Sequence, residues 1–188
     1  MNSADQFETI VSDHYEALFR FAMSLTRQES DAWDLTQQTF YVWARKGHQL
    51  RDPSKVKTWL FTTLHRAFLL ARRRRSRFPH HDLDTVAQEL PTVSPELAHE
   101  TDHAQVLLAL GSVDDIYQAP VALFYLEVCS YKEIAEILEL PMGTVKSRIA
   151  RGIEQLRDIL VSDQRRDSDR SPTLVPEPVG NLRILYCN

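Results

Sequence analysis

The sequence is poor in the residues that carry most metal, redox and phosphate chemistry. Its two cysteines, Cys129 and Cys187, stand in no CxxC or Cys/His spacing. That excludes a zinc motif and a disulfide scaffold, and both thiols are read as reduced. Glycine is scarce, five in 188 residues, and no glycine-rich loop leads into a lysine that would cradle a phosphate. No nucleophile has an identifiable base, so the sequence offers no catalytic residue, no metal ligand and no cofactor site, and an enzyme is not expected. No apolar run approaches the roughly 18 to 20 residues that span a bilayer, so no membrane insertion is expected. The opening Met1-Asn-Ser-Ala-Asp-Gln lacks the basic and then apolar regions of a secretory signal, which predicts a cytoplasmic protein. Strand-like alternation is missing as well.

What is present is helical periodicity and segregated charge. Apolar residues at 43% and charged residues at 26% are ordinary for a globular chain. The net charge of −4 argues weakly against a nucleic-acid partner, but nucleic acids respond to local patches. Residues 1–75 hold twelve Lys/Arg against eight Asp/Glu and end in Arg72, Arg73, Arg74 and Arg75. Residues 76–104 reverse the sign, with Arg77 against Asp82, Asp84, Glu89, Glu96, Glu100 and Asp102.

Phe7, Ile10, Val11, His14, Leu18, Phe21, Ala22 and Leu25 recur at spacings of three and four, predicting a helix over about 5–27. A second helix is expected from Asp31, capped by Ser30 or Asp31, with Gly47 where the chain leaves it. Asp52-Pro53 disfavours helix and marks a turn, and a third helix is expected over 55–75. Pro79, Pro91 and Pro95 punctuate a polar linker. Helical pattern resumes over 97–110, breaks at Gly111-Ser112 and restarts after Asp114-Asp115, with Pro120 expected in the first turns. Beyond Leu160 the polar, Pro-rich tail is expected to be disordered. The fold class is therefore all-α: two small helical domains joined by a flexible acidic linker.

The segment Ser130 to Arg151 carries the most specific pattern. Ile134, Ala135 and Leu138 give one short helix a buried side, and Val145, Ile149, Ile153 and Leu156 give the next an apolar stripe. Ser130 and Glu133 have capping-box spacing, and Ala135 is small enough for a steep helix crossing, as in a helix-turn-helix. Thr144, Lys146, Ser147, Arg148 and Arg151 are left outward with no carboxylate among them, on the part of the helix that enters a major groove. Arg148 and Arg151 suit guanine, whereas Thr144, Lys146 and Ser147 suit phosphate or sugar. The competing reading is a plain helical hairpin with a solvated basic face.

Asp31-Ala-Trp-Asp-Leu-Thr-Gln-Gln-Thr-Phe, Lys57-Thr-Trp-Leu-Phe-Thr-Thr-Leu-His-Arg, Ser130-Tyr-Lys-Glu-Ile-Ala and Pro141-Met-Gly-Thr-Val-Lys-Ser-Arg, in that order, closely resemble the extracytoplasmic-function group of bacterial sigma-70 factors over about residues 5–160. The resemblance implies a sigma-2 domain over 1–76, a linker over 77–96, a sigma-4 domain over 97–162 and a tail over 163–188. It implies an RNA polymerase sigma factor with three partners: core RNA polymerase, promoter DNA as duplex and melted strand, and, as a candidate, an anti-sigma factor. Asp31, Asp34, Gln37, Gln38 and Phe40 would contact the polymerase. Lys55, Lys57, Trp59, Thr62, Thr63, His65 and Arg66 would bind the downstream promoter element, with Trp59 either a stacking platform or a core residue. Thr144, Lys146, Ser147, Arg148 and Arg151 would bind the upstream one. The acidic linker would either mimic phosphate in a polymerase channel or act as a tether. Two positions depart from the pattern, since Glu139 and Cys129 stand where relatives carry glycine. An independent duplex-binding regulator is the alternative function.

Overall fold

The computed structural model describes residues 3–77 and 107–170, and every described element is helical. Helices α1 (Ser3–Thr26), α2 (Glu29–Lys46) and α3 (Val56–Arg77) form the first unit. The second comprises a helix end at residues 107–110, α4 (Asp115–Tyr125), α5 (Tyr131–Leu138) and α6 (Met142–Arg170). The linker segment 79–96 and the apolar group Leu182 to Tyr186 lie outside the described residues.

The α1 stripe does what its period predicts: Leu18, Phe21, Ala22 and Leu25 are buried against Leu35 of α2 and Leu60, Phe61 and Leu64 of α3. Phe21 meets Phe61 at a ring separation of 5.3 Å. Helix α1 ends because Arg27 turns left-handed, at φ 60°, while its N–H still reaches the Met23 carbonyl. The next helix then starts at Glu29, two residues before the expected Asp31, and its N-cap is Gln28 with no side-chain hydrogen bond. Ser30 and Asp31 are thus inside the helix and cannot cap it.

Pro120 lies in the second turn of α4, within the first turns as expected, and it is buried. Two further expectations are corrected. The last helix runs on to Arg170, past the expected end at Leu160 and into the tail read as disordered. Phe40 is 7% exposed and stacks on Tyr15 at 6.4 Å, so it holds α2 in place instead of presenting a contact surface.

The two units dock on one another. Helix α1 lies against α4, and α3 lies against α5. Among the described residues, no helix is long and apolar enough to cross a membrane.

Candidate nucleic-acid interface

Helix α5 begins at a complete capping box. The Glu133 amide donates to Ser130 Oγ at 3.3 Å, and the Ser130 amide and hydroxyl donate to Glu133 Oε2 at 2.8 and 2.7 Å. These bonds from Ser130 hold the Glu133 carboxyl below the usual carboxylate range. The helix stops at Glu139, which adopts the left-handed conformation (φ 55°, ψ 44°) that glycine enters at no steric cost. Its amide donates back to the Ala135 carbonyl. Pro141 then opens α6, accepting at its carbonyl from Val145 at 3.0 Å.

The apolar sides of α5 and α6 close on each other through Ile134, Ile137, Leu138, Val145, Ile149 and Leu156, all buried. That fixes which side of α6 faces outward. Lys146, Ser147 and Arg151 are exposed, and Thr144 and Arg148 are half-buried at the edge of the same face. The Ser147 hydroxyl donates to the Thr144 carbonyl at 3.0 Å. Among the described residues, no ion pair engages Lys146, Arg148 or Arg151. The face is cationic and open. Gly152, one turn beyond Arg148, is where α6 runs close against Val121 and Tyr117 of α4, and Gln155 anchors the crossing by donating to Asp114 at 2.8 Å and accepting from its amide at 3.1 Å.

In the first unit, Asp52 shapes the turn into α3 by accepting from the Ser54 amide at 3.0 Å and hydroxyl at 2.7 Å. Lys55 and Lys57 follow, and both are already engaged. The Lys55 ammonium donates to Glu136 at 2.6 Å, which raises its pKa, and Lys57 donates to the Glu127 carbonyl at 2.9 Å. Arg66 is paired with Glu139. Trp59 is half-buried, its ring edge-on to Trp43 at 5.2 Å, so of the two readings the packed one describes this arrangement. The Thr63 hydroxyl donates to the Trp59 carbonyl within the helix at 2.8 Å, while Thr62 is half-buried. His65 is more enclosed than a surface residue, and burial pushes its pKa down to about 4.

Helix α2 presents Asp34, Gln37 and Gln38 to solvent. Asp31 is half-buried and bound by Arg75 at 2.7 and 2.9 Å. On the same face, Trp33 and Tyr41 are 43% and 61% exposed, an apolar surface that the sequence reading had not selected. Their spacing from Gln37, four residues either way, was the available signal.

The sequence reading also missed Arg20 and Glu127. Arg20 donates from Nε to Glu127 Oε1 at 3.0 Å, from Nη2 to Oε2 at 3.1 Å, and from Nη2 to the Leu126 carbonyl at 3.3 Å. Burial pushes the Glu127 pKa up against the pull of that guanidinium. Val128, beside it, is left-handed at φ 50° and 85% exposed. Cys129 is a free, buried thiol whose pKa burial raises.

A family model described as sigma-70 region 2 matches residues 10–78, and one described as sigma-70, region 4 matches residues 103–156. The chain is similar to the ECF RNA polymerase sigma factor SigE of Mycolicibacterium smegmatis, with 34% identity over 82% of this chain and 61% of that protein. It therefore spans less than two thirds of that relative. It is 28% identical to the ECF RNA polymerase sigma factor SigM of Bacillus subtilis, over 74% of this chain and 86% of that one. Among solved structures it is similar to the sigma factor RpoE in complex with the anti-sigma factor NepR from Bartonella quintana. The TM-score there is 0.69 at 28% identity, over 84% of this chain and 98% of that one. It is also similar to CnrH in complex with the cytosolic domain of CnrY, with a TM-score of 0.59 at 26% identity, over 84% of this chain and 88% of that one.

Proposed function

The chain belongs to the sigma-70 family, in its extracytoplasmic-function group, whose members direct RNA polymerase to promoters for initiation, and from this premise we propose how its residues divide that work. The second domain, 97–162, grips the upstream promoter element. Arg148 and Arg151 reach guanine edges, while Thr144, Lys146 and Ser147 take phosphate and sugar. The first domain, 1–76, takes the downstream element and assists strand opening through Lys55, Lys57, Thr62, Thr63, His65 and Arg66, with Trp59 supporting the surface from within. Asp31, Asp34, Gln37 and Gln38 contact core polymerase, and Trp33 and Tyr41 add the apolar area that polar residues alone do not provide. The linker 77–96 and tail 163–188 connect and follow these domains.

The protein acts beside polymerase in the cytoplasm, and by binding alone: binding energy, not hydrolysis, drives the opening of DNA. An anti-sigma protein is a candidate partner. The observation that carries this reading is the cationic N-terminal half of α6, where Thr144, Lys146, Ser147, Arg148 and Arg151 face outward with no carboxylate among them, held by a fully formed helix-turn-helix.

The test is reconstitution of the full chain with core polymerase on promoter fragments that the holoenzyme selects from a genomic library. Arg148→Ala is expected to weaken use of the upstream element by about 1–3 kcal/mol, leaving core association intact. Asp34→Ala is expected to weaken core association at every promoter. Tight sequence-specific duplex binding without polymerase, together with no core association, would instead identify an independent regulator.

A further inference from the structure

The cations assigned to the downstream element are not free to meet DNA. Lys55 is held by Glu136, Arg66 by Glu139, and Lys57 by the carbonyl of Glu127. All three acceptors belong to the second unit, on α5 or the residues flanking it. Beside them, Arg20 of α1 grips Glu127 through two parallel hydrogen bonds, with side-chain exposures of 19% and 2%. At the far end of α3, Arg72 pairs with Asp115 at 2.8 Å.

We propose that the chain closes on itself, with the Glu136 and Glu139 carboxylates on Lys55 and Arg66 and the Glu127 backbone carbonyl on Lys57 taking the positions that DNA phosphates would take, and with Arg20–Glu127 as the latch. The proposal rests on the downstream-element assignment above. Its logic is a difference between two kinds of ion pair. The exposed pairs at Lys55 and Arg66 contribute little each and are screened by salt, so they select the partner surface without holding it. The pair at Glu127 is desolvated. Once the units are docked, removing either partner leaves a buried charge uncompensated, which is costly, so this pair makes closure depend on a single contact. A carboxylate on a phosphate-binding cation blocks DNA because both ligands require the same donor hydrogens. The downstream site becomes available only when the second unit swings away.

The test uses the full chain and two readouts. Small-angle X-ray scattering reports opening as an increase in radius of gyration, and anisotropy of a fluorescent 20-nucleotide single-stranded DNA of mixed sequence reports access to the site. Arg20→Met and Glu127→Arg are expected to enlarge the particle at unchanged circular dichroism. They should also tighten oligonucleotide binding by about tenfold or more, since a broken buried pair shifts the closed-to-open ratio at least that far. The double charge swap Arg20→Glu with Glu127→Arg should close the chain again and return both readouts towards wild type. If neither single variant changes the radius of gyration while circular dichroism shows both folded, the latch is overturned. If the particle opens and DNA binding does not tighten, the latch stands but self-blocking is overturned, because the downstream assignment has failed.

Discussion

Gly152 offers a sharp test of how the reading helix is mounted. It lies where α6 crosses α4, and a Cβ built there would sit 2.4 Å from Val121 Cγ2 and 2.9 Å from Tyr117 Cβ. The Tyr117 atom belongs to a Cβ and moves only with its backbone, and Val121 in a helix has one strongly preferred rotamer. Neither neighbour can step aside cheaply. Overpacking of this kind costs about 1–3 kcal/mol, against which replacing a helical glycine with alanine returns about 1 kcal/mol of propensity. Gly152→Ala is therefore expected to destabilise the second unit by up to about 2 kcal/mol net, and Gly152→Val by more. Trp33, Trp43 and Trp59 all lie in the first unit, so tryptophan fluorescence would report only that half. Amide hydrogen exchange read by mass spectrometry resolves the other half. Peptides from α4 and α6 should exchange faster in Gly152→Ala, by up to about 30-fold, the factor that about 2 kcal/mol implies, while α1–α3 peptides are unchanged. Slower exchange in α6, as propensity alone would give, would refute the close approach.

Other outcomes follow from single contacts. Ser130→Ala should cost the second unit about 0.5–2 kcal/mol through loss of the cap, seen as faster exchange in α5; unchanged protection there would mean the box does not hold the helix. His65 resists protonation in the folded chain, down to about pH 4, whereas its ordinary pKa is 6.5. The unfolded chain therefore takes up the proton first. The associated stability is complete above pH 6.5, falls as pH drops towards 4, and amounts to at most about 3 kcal/mol. His65→Gln should flatten the urea midpoint between pH 7.5 and 5 relative to wild type, and equal slopes in the two proteins would show that His65 is not the group responsible.

The helix-turn-helix was legible because every one of its signals is local. The Ser130–Glu133 spacing, the Val145–Ile149–Leu156 stripe and the turn before Pro141 each act within a few residues, and the structure bears them out. The left-handed Glu139 left a trace in the sequence as a departure from the family pattern at a turn position where glycine is expected. Features that depend on the other half of the chain were not legible. Glu127 pairs with a residue 107 positions away, and from sequence it reads as one more carboxylate; its only local mark is the apolar company of Leu126, Val128 and Cys129. Phe40 failed for a related reason, because a period places a residue on a face but does not say which face meets Tyr15. The continuation of α6 to Arg170 was missed because residues after Val161 have no apolar stripe, and patterning detects helices by what they bury.

The docking of the two units has a consequence for dosage. Both sides of the Arg20–Glu127 contact belong to one polypeptide, so its occupancy does not change when the protein is diluted or overproduced. A separate inhibitor is titrated away once its target outnumbers it. A contact carried within the chain keeps its set point in every copy, and raising expression alone would leave the same fraction of molecules shut.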